Sequence, residues 1–154
     1  MNVENDITKI ITEEQICLNL QGTSKHEVIG ELSQLLYDNA LISDRAEFTK
    51  DVLFRESEGI TGLGDGIAIP HGKSDYVLKT AIVIGKCHSP VVWESLDNQP
   101  VELIIMFAVK NIDATTLHIK LLQQVAAILA DEDKIKQLKA SQTKQEIMAL
   151  LANR

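Results

Sequence analysis

The chain has 154 residues, 45% of them hydrophobic and 24% charged, a balance that excludes disorder and fibrous architecture and suits a single domain over residues 1–154. Fifteen Lys and Arg against 22 Asp and Glu leave a net charge of -7, which opposes a phosphate backbone, so no nucleic-acid partner is expected. No apolar run approaches the roughly 20 residues that cross a bilayer, and Met1-Asn2-Val3-Glu4-Asn5-Asp6 lacks the order of a signal peptide, so a cytoplasmic protein without direct membrane insertion is expected.

Ile16-Cys17-Leu18-Asn19-Leu20 alternates as a half-buried strand does and ends at Gln21-Gly22. Ser24 with Glu27 then forms a capping box, and Val28, Leu32, Leu35 and Leu36 follow at helical spacing. Asp44 with Glu47 repeats the device and opens a second helix, through Phe48, Val52 and Leu53 to about Arg55 or Glu56. Two start signals so close predict a helical hairpin. From Gly59 to Gly72, glycines surround the apolar run Ile67-Ala68-Ile69, read as a strand that Pro70 terminates.

Two further strands are expected at Thr80–Gly85 and Val101–Val109, joined by a loop from Trp93 to Pro100. Thr115 or Thr116 is expected to cap a long helix bearing Leu117, Leu121, Leu122, Val125, Ile128 and Leu129, with His118 in its first turn. A shorter helix near Asp133–Leu138 and a last one capped by Thr143 with Glu146 complete the chain. Successive strands are separated by too little chain for a crossover helix each. The fold expected is therefore three-layer α/β, a mixed parallel and antiparallel sheet with helices on both faces.

The segment Gly62 to Gly72, GLGDGIAIPHG, sets His71 just past a buried strand, between a rigid proline and a permissive glycine. Gly72 is expected to let a bulky group approach the backbone there. An imidazole of ordinary pKa is mostly neutral near pH 7 and offers a ring nitrogen as nucleophile, with no metal or cofactor needed. Phosphoryl transfer asks the protein chiefly for alignment and for groups that meet the equatorial oxygens, roles suited to Arg55 and His118.

Gly64-Asp65-Gly66-Ile67-Ala68-Ile69-Pro70-His71-Gly72 resembles the active-site signature of fructose/mannitol-type enzyme IIA, a phosphotransferase component of the bacterial sugar phosphotransferase system. The resemblance extends to the opening Ile-x-Leu-x-Leu strand, to Arg55-Glu56, to the loop from Trp93 to Val101, and to Leu117-His118-Ile119-Lys120-Leu121-Leu122. It implies that His71 accepts a phosphoryl group from the histidine-containing phosphocarrier protein and passes it to a cysteine of a IIB domain, which phosphorylates the sugar carried by IIC. It also implies stabilising roles for His118 and Arg55, and fructose-like sugars as the default. The alternative is a nitrogen-type regulator that signals by its phosphorylation state; a hydrolase using His71 as nucleophile lacks a second acid, base or metal to activate water.

Other residues have plainer readings. Cys17 and Cys87 read as small core residues, His26 as a surface residue and His88, beside Ser89-Pro90, as a turn residue. A zinc site from His71, His88 and His118 matches no known ligand spacing. Glu13-Glu14 and Asp131-Glu132-Asp133 read as helix starts. Asp65 is expected either to orient His71 or to turn away from it, and Trp93 reads equally as a core-edge or an interface residue.

Overall fold

A computed structural model describes residues 7–152. In chain order the elements are β1 (Ile16–Leu20), α1 (Lys25–Asp38), α2 (Arg45–Glu58), β2 (Gly62–Gly64), β3 (Ile67–Ala68), β4 (His71–Lys73), β5 (Ala81–Val91), β6 (Val101–Val109), α3 (Leu117–Leu129), α4 (Glu132–Ala140) and α5 (Lys144–Ala152). Short 3-10 turns occur at Ile7–Lys9, Glu13–Gln15 and Asn111–Asp113.

The three capping boxes of the sequence are realised. Ser24 accepts from the Glu27 N–H at 3.2 Å, Asp44 from that of Glu47 at 3.0 Å and Thr143 from that of Glu146 at 3.1 Å, each satisfying a donor the helix cannot. Asp131 does the same for Asp133 and Lys134, and α4 runs longer than the Asp133–Leu138 expected. Thr116 occupies the N-cap position of α3, but its side chain accepts no capping bond.

The sheet runs β1-β5-β6-β3-β2, with β4 also on β6. β1 is parallel to β5, β5 antiparallel to β6, and β3 and β4 parallel to β6, so the sheet is mixed. Its faces are coated separately. Ile104, Met106 and Ala108 of β6 pack with Leu20, Val28, Leu32, Phe48 and Val52 under the α1–α2 hairpin. Leu103, Ile105, Phe107 and Val109 pack with Leu121, Val125, Ile128, Leu138 and Ile147 under α3 to α5. Alternate residues of one strand thus enter two cores, which is why β6 reads as an unbroken apolar run.

Four further details differ from the sequence reading. The strand at Ile67-Ala68 does end before Pro70, but pairing with β6 resumes beyond it as β4. The Pro70 carbonyl accepts the Phe107 N–H at 3.0 Å, and His71, Gly72 and Lys73 go on to pair with Phe107, Ala108 and Val109. Proline lacks only a donor, so an edge strand can carry it. β5 continues past Gly85 to Val91, which pairs with Val101 beyond a register irregularity, so His88 stands exposed in a strand extension rather than a turn. Asp65 and Gly66, with φ of +56° and +77°, form the two-residue turn of the β2–β3 hairpin, where Asp-Gly is a preferred pair.

The fourth concerns Gly72. A Cβ there would lie 2.9 Å from both Phe48 and Val52 of α2, so this glycine makes room for a helix rather than for a ligand. Gly72→Ala is expected to cost about 1–3 kcal/mol by overpacking, read as a lower urea midpoint; an unchanged midpoint would show that α2 yields freely.

Candidate functional site

The three side chains singled out in the sequence, His71, His118 and Arg55, come together at the sheet edge formed by β4. His71 leaves β4, Arg55 the last turn of α2 from one helical layer, and His118 the first turn of α3 from the other. The β4 backbone fixes His71 by its ladder to β6.

Arg55 Nε donates to His71 Nε2 at 3.2 Å, and its Nη1 reaches the Gly59 carbonyl at 3.5 Å. A guanidinium only donates, so Nε2 of the neutral ring must carry the lone pair and Nδ1 the proton. Nδ1 stands 3.5 Å from the Ile69 carbonyl oxygen, at the outer limit of a hydrogen bond but in the sense this tautomer needs. The lone pair of the neutral ring thus sits on Nε2, the nitrogen beside the cation.

His118 is 3% exposed, its ring centroid 5.1 Å from that of His71 and 5.7 Å from that of Phe107. Its Nε2 is buried and, among the described residues, makes no hydrogen bond. Leaving such an atom unpaired costs about 1–3 kcal/mol. Next to a half-buried imidazole, it is a group ready to meet an incoming polar atom.

Both imidazoles are held toward the neutral form. Burial lowers the His71 pKa below the ordinary value, and the charges of Arg55 and Lys73 add to this while the Ile69 carbonyl opposes it. Burial, with His71 and Lys73 nearby, pushes His118 down to about 4. His118 therefore binds its proton more readily unfolded, with a pKa near 6.5, than folded, and stability falls as pH drops below about 6.5 toward 4. We expect this group alone to remove about 2 kcal/mol between pH 7 and pH 5, and His118→Gln to flatten the acid limb of urea-denaturation stability by that amount. An acid limb identical to that of the wild type would contradict it.

Lys73 was not anticipated. It lines the same cleft of about 270 Å³ with Asp51, Phe54, Arg55, Glu58 and His71, because residues two apart in a strand share a face. Reading the strand through Pro70 would have found it. Asp51 is engaged by the Ser74 hydroxyl, and Phe54 is exposed at the rim.

Asp65 bonds elsewhere than to His71. It lies exposed in the β2–β3 turn, its N–H donating to Asp97 at 3.1 Å and its carbonyl accepting from Lys139 at 2.8 Å. Trp93 is buried, its Nε1 donating to the Thr61 hydroxyl at 3.1 Å, so it packs at the core edge. Cys17 and Cys87 pack partly buried under the helical hairpin, and burial pushes the Cys87 thiol up to about 11. His26 is exposed on α1.

Residues 9–154 match the family model for EIIA 2 of the phosphoenolpyruvate-dependent sugar phosphotransferase system. The chain belongs to this family. It is 34% identical over 145 residues to the fructose-specific EIIABC component of Bacillus subtilis, a match covering 94% of this chain and 23% of that protein. The chain thus spans about a quarter of the length of that relative. It is also 34% identical over 146 residues to a nitrogen regulatory protein of Bradyrhizobium diazoefficiens, covering 95% of this chain and 94% of the relative.

Among solved structures, a complex of the mannitol enzyme IIA with phosphorylated enzyme IIB from Escherichia coli contains a similar chain. The TM-score is 0.79 at 28% identity, over 94% of this chain and 98% of that one. This EIIA domain therefore has the fold of a phosphoryl-transfer component, and its relatives include both sugar-uptake and nitrogen-regulatory proteins.

Proposed function

We propose that this EIIA domain is a phosphocarrier that accepts a phosphoryl group on Nε2 of His71 and hands it to a protein acceptor. The observation that carries the reading is the setting of that nitrogen: a lone pair fixed by the Arg55 N–H, beside a buried imidazole with an unpaired Nε2. As phosphorus approaches, the guanidinium moves from the nitrogen to a phosphoryl oxygen, and His118 Nε2 meets a second oxygen. The P–N bond to His71 forms as the bond to the donor breaks, and the charge that develops on the ring strengthens the bond from Nδ1–H to the Ile69 carbonyl. Lys73 adds a further cation.

The donor in this reading is the histidine-containing phosphocarrier protein and the acceptor a cysteine of a IIB domain, which phosphorylates the sugar taken up through IIC; a fructose-like sugar is the default. The IIA–IIB complex of the mannitol system supports the acceptor. A second reading keeps the chemistry and changes the output: the phosphorylation state controls a regulatory partner, as the equal identity to a nitrogen regulatory protein allows. The test is to label the domain from phosphoenolpyruvate, enzyme I and the phosphocarrier protein, then add a IIB protein. Label passing to the IIB cysteine supports uptake. Label retained with every IIB offered overturns the uptake reading and leaves the regulatory one.

A further inference from the structure

Thr61 and Glu56 lie outside the cleft, yet both faces of His71 lead back to them. Glu56 follows Arg55 in the last turn of α2, and its side chain is 4% exposed. Its carboxylate accepts the Thr61 hydroxyl at 2.6 Å and pairs with Lys25 at 3.3 Å. The same hydroxyl accepts the Trp93 N–H, and the Thr61 carbonyl accepts the Ile69 N–H at 3.0 Å. Ile69 is the residue whose carbonyl faces His71 Nδ1, and Arg55 is the residue whose Nε faces Nε2.

We propose that the Thr61–Glu56 hydrogen bond is a clasp that sets the spacing between the end of α2 and the Ile69 backbone, and thereby holds His71 between its proton acceptor and its cation. Thr61 and Glu56 are positioning residues on this view. The arrangement suits the task because each end is itself anchored. Lys25, 5.8 Å from the centre of the Trp93 ring and paired with Glu94 as well as Glu56, ties the start of α1 to the same point. A short, charge-assisted hydrogen bond away from solvent is strong and geometrically strict. Rotation of the α2 end by even a fraction of a turn would withdraw the guanidinium from Nε2.

This inference rests on the proposed carrier role for its kinetic arm but not for its spectroscopic one. Thr61→Val keeps the shape and deletes the hydroxyl; Thr61→Ser restores it. In histidine nitrogen NMR, Thr61→Val should weaken the preference for the Nδ1–H tautomer of His71. Its pKa should also rise toward the ordinary value as Arg55 withdraws, with Lys73 and His118 still in place. Phosphoryl acceptance should slow at least about tenfold under conditions where the variant is folded, and Thr61→Ser should recover all three. A folded Thr61→Val protein with wild-type tautomer, pKa and acceptance rate would overturn the clasp. If wild-type protein takes no phosphate at His71, the carrier reading fails while the tautomer and pKa still decide the clasp.

Discussion

His71→Ala is expected to take up no phosphoryl group from the phosphocarrier protein, while keeping its fold. The first half follows from the shortage of substitutes. His118 is 3% exposed and packed against Phe107, so a protein donor cannot reach it without unpacking the first turn of α3. His26 and His88 are exposed, but they lie on α1 and on the extension of β5, away from the Arg55 cation. The second half follows because His71 is only half buried, and its backbone ladder to β6 does not depend on the side chain. The measurement is stoichiometric label per chain beside a thermal melt. Wild-type labelling of the variant would contradict the proposed site, and label moved to His118 would show that α3 opens.

Arg55→Ala is expected to retain the acceptor but slow acceptance by about 10²–10³, the usual cost of removing one preorganised donor to developing charge. The loss has two sources. Without the guanidinium, no donor on α2 meets the phosphoryl oxygens, and the lone pair on His71 Nε2 is no longer enforced, so the other tautomer gains population. The His71 pKa should also rise, since the Arg55 charge helps to lower it. The neutral fraction then shrinks at mildly acid pH, and the deficit should widen from pH 8 toward pH 6. Arg55→Lys should recover part of the rate, because an ammonium supplies charge without the planar fork. A rate within twofold of wild type at both pH values would reduce Arg55 to a residue that complements the helix dipole.

What the sequence reveals of the fold is what can be decided locally. Ser24, Asp44 and Thr143 announce their helices because a cap and its partner are three residues apart. The apolar run of β6 announces burial on both faces. β2 and β4 are harder to see: Gly62-Leu63-Gly64 and His71-Gly72-Lys73 carry no alternation, β2 being marked only by the Asp65-Gly66 turn that joins it to β3, and β4 becoming a strand only through β6, far along the chain. The extension of β5 through His88, Ser89 and Pro90 hides because these residues fall in the register irregularity, and only Val91 meeting Val101 beyond them carries the strand on.

The candidate site divides in the same way. His71, Arg55 and His118 stand out through the motif and the family resemblance, and the structure brings Arg55 and His118 each against His71. Lys73 escapes because Pro70 reads as a stop. Thr61 escapes, and with it the link between Glu56 and Trp93, because the contacts among them join a helix end, a loop and a turn between strands; the resemblance marks Glu56 and Trp93 singly, but nothing local connects them. Gly72 shows the converse error. Its small size is legible, but only the packing of Phe48 and Val52 tells what the space is for.

The most direct measurement is the position of the phosphate. After brief incubation with phosphoenolpyruvate, enzyme I and the phosphocarrier protein, phosphorus and nitrogen NMR of the labelled chain should show one acid-labile phosphoryl group, bonded to Nε2 of His71. Phosphate on Nδ1 of His71, on another residue, or on none would contradict the account.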